Sequence, residues 1–169
     1  MMANPSLILP PPFEQAIGPY ERDLMRFMLR MTGNRDDAME LFQEMCLRAY
    51  RAYPRLADVG EIRPWLYRIA VNLCRNRARD NARRARVIVD SSANHREPAV
   101  DDSSGSQDLG AIRALIAALP YKQREALTMR KISGLGYEQI AQALGCSVEG
   151  ARANVSQALK KLKAEWNQL

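Results

Sequence analysis

Histidine is almost absent, with His95 the single one in 169 residues. Cysteine is scarce too: Cys46, Cys74 and Cys146 are odd in number and far apart. No pair of them has ligand spacing, which argues against a zinc site or a disulfide framework, and reduced thiols on apolar helix positions are expected. No nucleophile, base and orienting group can be assembled from the chain, nor a phosphate-binding loop, so an enzyme is the reading least favoured, with no catalytic residue, metal or cofactor expected. No apolar run approaches the roughly 18 residues that a membrane span needs. The start, MMANPSLILPPPFEQ, lacks the basic opening and long apolar core of a signal peptide. A cytoplasmic protein without a membrane span is the expectation.

What is present is arginine. Lys and Arg number 25 against 19 acids, for a net charge of +6 and a pI near 9.5, and twenty of the 25 are Arg. That balance suits a polyanionic partner, and guanidinium forks match phosphate and guanine better than diffuse ammonium charge does. At 47% hydrophobic and 26% charged the chain is globular, with room for one large or two small domains.

Periodicity predicts helices throughout and no strands. Residues 1–12 read as an extended tail, because Pro10, Pro11 and Pro12 cannot propagate a helix. A helical segment from Phe13 to Thr32, interrupted near Gly18 and Pro19, carries Leu24, Phe27, Met28 and Met31 as one stripe and stops at Gly33. A second starts after Asn34, with Asp36 and Asp37 at its positive end. Ala38, Leu41, Phe42, Met45, Ala49 and Tyr53 make its inner face, and Pro54 ends it. A third runs from about Arg63 to Arg86 and becomes RNRARDNARRAR, six Arg against Asp80 alone. A solvated basic tail is one reading of that run. Asn72, Asn76 and Asn81 among the Arg favour the other, a surface that tracks phosphates and reads base edges.

Residues 87–108 lose periodicity, are rich in Ser and Asp, and carry net charge −4 between two stretches of +5, 13–86 and 109–169. They read as a flexible acidic linker between two basic modules. In the second module, Ile112, Leu115, Ile116 and Leu119 mark a short helix stopped by Pro120, and Gln123 to Lys131 marks another. Then comes YEQIAQALGCSVEGARANVSQALKKLK, Tyr137 to Lys163. Gly145 is placed to end one helix and Ser147 to cap the next, whose Val148, Ala151, Val155, Leu159 and Leu162 form the inward stripe. Spacing fits a helix-turn-helix and a plain helical hairpin equally.

Wording in the residues favours the first. DAMELFQEMCLRAYRAYPRL followed by IRPWLYRIAVNLCRNRARD resembles region 2 of bacterial sigma factors of the extracytoplasmic-function group. LPYKQREALTMRKISGLGYEQIAQALGCSVEGARANVSQALKKLK resembles region 4 of the same group. The resemblance implies an all-α chain: a region 2 bundle over 13–86 and a region 4 helix-turn-helix over 109–169, joined by 87–108. It implies a promoter-specificity subunit whose partners are core RNA polymerase, through the clamp helices and flap, promoter DNA, and an anti-sigma factor.

By position, the resemblance gives the polymerase face to Asp37, Glu40, Leu41, Gln43, Glu44 and Leu47. It gives the minus-ten element to the loop Asp58, Val59, Gly60 and Glu61 and to Asn72, Arg75, Asn76, Arg79 and Arg83. The minus-thirty-five element falls to Arg152, Ala153, Ser156 and Gln157, with Tyr137, Ser147 and Lys160 on phosphates. The chain departs from the family at Gly150, Asn154 and Gln157, which removes two positive charges from the reading helix and puts the strength and sequence of upstream recognition in question. A sigma-like decoy, binding an anti-sigma factor or polymerase without productive promoter recognition, is the competing reading. An ordinary two-domain repressor would leave the Asp37 to Leu47 resemblance unexplained.

Overall fold

The computed structural model describes residues 10–56, 58–88 and 107–167, and helices account for nearly all of them. The chain enters through α1 (Phe13–Ile17), a 3-10 turn at Gly18–Tyr20 and α2 (Glu21–Thr32). The break expected at Gly18 and Pro19 is therefore real. Gly33 ends α2 with φ 69°, a left-handed conformation that lets its N–H reach Leu29 O. Asn34 then starts α3 (Arg35–Ala52), its Oδ1 accepting from the Asp36 and Asp37 N–H groups at 2.8 and 3.2 Å. After 3-10 turns at Tyr53–Arg55 and Val59–Glu61 comes α4 (Ile62–Ile88), 27 residues and thus about 40 Å long. It runs two residues past the expected Arg86 end.

Leu24, Phe27, Met28 and Met31 of α2, Ala38, Leu41, Met45 and Ala49 of α3, and Leu66, Ala70 and Leu73 of α4 are buried together. Each large apolar side chain so buried stabilises by roughly 1.5–3 kcal/mol. Phe27 meets Tyr67 edge to face at 5.4 Å between centroids.

The second bundle is α5 (Gln107–Ala118), α6 (Tyr121–Lys131), α7 (Tyr137–Leu144) and α8 (Val148–Trp166). Helix α6 starts at Tyr121, two residues before the expected Gln123, because Pro120 supplies a fixed φ at its N-cap. Ala151, Val155 and Ala158 form the buried stripe of α8. Leu159, expected in that stripe, is 41% exposed. A position eight residues after Ala151 has rotated to the stripe's edge, where α6 and α7 do not cover it. The expectation for Cys146 also fails: it lies in the turn before α8 and is exposed, while Cys74 is buried and Cys46 half-buried.

The two bundles are in contact as well as sequential. Helix α4 packs on α7, and α2 on α6. Glu125, Ala126, Leu127, Thr128 and Met129 are consecutive and all buried, the mark of a helix covered on every side. The tail residues 1–9 and the linker residues 89–106, with His95, lie outside the described residues.

Candidate nucleic-acid and polymerase interface

Asn72, Asn76, Arg79 and Arg83 are all exposed on α4. Their spacings of four, three and four hold them within about 60° of helix circumference. They make one continuous stripe of amides and guanidiniums, able to donate and accept at base edges and to hold phosphates. The loop before α4 is shaped by Asp58, whose Oδ1 accepts from Gly60 N at 2.8 Å. Asp58, Gly60 and Glu61 are exposed; Val59 belongs to the 3-10 turn. The loop leads directly into the helix that carries the stripe, with Asn72 about 15 Å along the axis from Ile62.

Arg75 is not on that stripe. It turns toward the second bundle, where Nε and Nη2 donate to Glu125 Oε1 and Oε2, each at 2.8 Å. Glu125 is 0% exposed. The hydrogen bonds to Glu125 raise the Arg75 pKa above its ordinary value, against the opposing effect of burial. Cys74 sits beside the pair; burial, reinforced by the Glu125 charge, pushes its thiol up to about 12. The resemblance placed Arg75 with the minus-ten residues, and a charge run carries no local sign of a partner fifty residues away.

On α3, Gln43 and Leu47 are exposed and Glu44 pairs with Arg48 at 2.6 Å. Glu40 bonds Arg77 of α4 at 2.8 Å, and Asp37 is half-buried against the same guanidinium. Leu41 lies on the inner face that its period gives it, a core residue at 5% exposure, and so is not available on the polymerase face that the resemblance gave it. Met39 and Tyr50, 43% and 59% exposed, were missed. Met39, Gln43, Leu47 and Tyr50 follow at four, four and three, and starting the outward period at Met39 finds them.

In the second bundle, Gly145 ends α7 at φ 67°. Ser147 Oγ accepts from Gly150 N at 3.0 Å and caps α8. Arg152, Ala153, Ser156, Gln157 and Lys160 are exposed along α8. Gln157 Oε1 accepts from Gln123 Nε2 at 2.9 Å. The Tyr137 ring lies near two guanidiniums, Arg130 at 4.8 Å and Arg152 at 5.2 Å. This fixes the Arg152 stem beside the reading face, a cation–π arrangement with no signature in sequence. Asn154 donates one amide N–H back to Gly150 O at 2.9 Å, which ties its side chain to its own helix.

Among the described residues, no cluster of His, Cys, Asp and Glu could hold a metal, and no helix is long and apolar enough to cross a membrane. The arrangement offers planar cations and amides on two exposed helical faces. That defines a two-module helical protein with the surface chemistry of a nucleic-acid reader.

Comparison with known proteins makes the class specific. The model of sigma-70 region 2 matches residues 16–84, and that of sigma-70 region 4 matches residues 109–162. The chain is 32% identical over 143 residues to the ECF RNA polymerase sigma factor EcfG of Rhodopseudomonas palustris, covering 83% of this chain and 77% of that one. It is 26% identical over 149 residues to the ECF sigma factor SigM of Bacillus subtilis, covering 88% and 91%. The fold is shared with the sigma factor RpoE in complex with the anti-sigma factor NepR from Bartonella quintana, at TM-score 0.76 and 23% identity over 90% of this chain and 94% of that one. CnrH in complex with the cytosolic domain of CnrY shares it at 0.68 and 22%, over 92% and 88%. The chain belongs to the extracytoplasmic-function group of sigma-70 family RNA polymerase sigma factors. It is a factor for promoter-specific transcription initiation.

Proposed function

We propose that the exposed α4 stripe, Asn72, Asn76, Arg79 and Arg83, with the loop Asp58–Glu61 before it, takes the melted minus-ten strand. That continuous stripe is the observation that carries the reading: a base turned out of the stack can be read on its edges in the loop while neighbouring Arg hold the backbone. Arg152, Ala153, Ser156 and Gln157 face the minus-thirty-five major groove, with Lys160, Tyr137 and Ser147 toward phosphates. The modules extend over 13–86 and 109–169, and 87–108 links them. Helix α3 meets core polymerase through Glu40, Gln43, Leu47, Met39 and Tyr50. The protein acts in the cytoplasm as a regulatory subunit with no catalytic step of its own. An anti-sigma factor is its expected antagonist, in line with the RpoE structure that shares the fold.

Run-off transcription with purified core polymerase on the chain's own upstream DNA tests this. Wild type should give discrete transcripts, and Asn76→Ala with Arg79→Ala should lose them while keeping core binding. Core binding with no transcript from any genomic fragment would favour the decoy, a reading that the inward-bonded Asn154 supports.

A further inference from the structure

Gln157 brings an amide to the face of α8 proposed to meet the minus-thirty-five element. A free glutamine suits adenine, accepting from N6 through Oε1 and donating to N7 through Nε2. Gln157 is not free. Its Oε1 accepts from Nε2 of Gln123, a residue in the first turn of α6, at 2.9 Å. Helix α6 packs on α8, so the partner comes from another helix of the same bundle. Gln123 is half-buried, and its own Oε1 is buried without a hydrogen-bond partner among the described residues. Turning that amide round would bury two N–H donors in place of one acceptor, and bare buried N–H groups are the rarer of the two in folded proteins. Gln123 therefore offers its N–H2 to Gln157, and the N–H2 of Gln157 is the part left for DNA. Its neighbours have the same polarity. Arg152, with its guanidinium 5.2 Å from the Tyr137 ring, and Lys160 are exposed and carry donors only.

We propose that Gln123 sets the base that Gln157 reads: by occupying Oε1 it makes Gln157 a donor, which selects guanine and rejects adenine. Guanine presents two acceptors in the major groove, O6 and N7, whereas adenine presents N7 beside a donating N6. Two neutral N–H groups then do at guanine what a guanidinium does with charged ones. Gln123 is a positioning residue that acts through Gln157. The proposal rests on the minus-thirty-five reading of α8, and on it the amide at 157 re-specifies upstream recognition instead of abolishing it.

The experiment uses holoenzyme assembled from core polymerase and the full chain to select bound fragments from a promoter library randomised over the minus-thirty-five region. Wild type is compared with Gln157→Ala, Gln123→Leu and Gln123→Glu. The base pair concerned is the one whose preference Gln157→Ala levels. There wild type should favour guanine over adenine by at least about fivefold, the lower end of what a bidentate contact discriminates. Gln123→Leu, similar in size and without an amide, frees Oε1, so adenine should rise to guanine's level or above at that base pair alone. Gln123→Glu has acceptors only, so Gln157 turns an N–H toward it and offers Oε1 to the groove, and the preference should pass to adenine. A purely structural Gln123 would lower enrichment of all sequences alike and leave the preference for guanine in place in both variants, which would overturn the proposal. A wild-type preference for adenine at that base pair would overturn it too, and that result needs no variant to fold. Two further outcomes reach the reading beneath it: an unchanged profile in Gln157→Ala removes Gln157 from the reading face, and a wild-type profile with no preferred upstream sequence removes the minus-thirty-five reading itself.

Discussion

Arg77 on α4 holds Glu40 on α3, Nη2 to Oε1 at 2.8 Å, while its other terminal nitrogen bonds Asp37. One guanidinium therefore ties the helix proposed to meet polymerase to the helix proposed to meet DNA. Arg77 and Asp37 are partly buried, and Glu40 is 69% exposed at its side chain. The Asp37 contact is accordingly the stronger of the two.

Arg77→Ala should destabilise the chain by about 1–2 kcal/mol, between the values for exposed and buried pairs. Core affinity should fall as well, since Glu40 loses the group that orients it. Urea unfolding and a core-binding titration check both; unchanged values for each would show the bridge to be ornamental.

Two glycines should respond differently to alanine. At Gly145 a Cβ meets nothing within 4 Å, but φ is +67°, so Gly145→Ala should cost about 1–2 kcal/mol from backbone strain alone. At Gly150 the backbone is helical, and alanine would normally add about 1 kcal/mol. The new Cβ would stand 3.2 Å from Ser147 Oγ, the group that caps α8. Gly150→Ala should therefore gain clearly less than that, and thermal unfolding of both variants measures the contrast.

Alkaline pH should loosen the junction between modules. Burial raises Cys74 from its ordinary 9.0 to about 12 and Tyr67 from 10.0 to about 12. Below about pH 9 both are protonated folded and unfolded, and the stability they confer is complete. As pH rises from about 9 toward 12, the unfolded chain loses these protons first and stability falls, by up to about 1.4 kcal/mol per pH unit for each group. Urea midpoints across this range should decline, and Cys74→Ala should delay the onset toward pH 10. A flat profile would mean that neither group stays protonated in the fold.

Much of this was legible in sequence, for local reasons. Gly33, Asn34, Gly145 and Ser147 act where their residue types dictate, because caps and left-handed stops are decided within four residues. The α4 residues came from the resemblance and from Asn mixed among the Arg, and the helix then sets Asn72, Asn76, Arg79 and Arg83 on one exposed stripe. Period puts Leu41 on the inner face of α3, where it lies, and the resemblance alone gave it to the polymerase face. The other misses are tertiary. Leu159 is exposed because it falls at the edge of the α8 stripe, while Ala158 before it and Leu162 after it turn toward the core. Arg75 and Arg79 look alike in the Arg-rich run, yet one meets a buried carboxylate and the other meets solvent.

The central claim is that this chain gives core polymerase its promoter choice. Transcripts mapped from fragmented genomic DNA, with core polymerase alone and with core plus this protein, test it most directly. Discrete new start sites sharing a two-part upstream sequence, lost with Asn76→Ala and Arg79→Ala, are predicted. A transcript set identical with and without the protein, despite its binding to core, would contradict it.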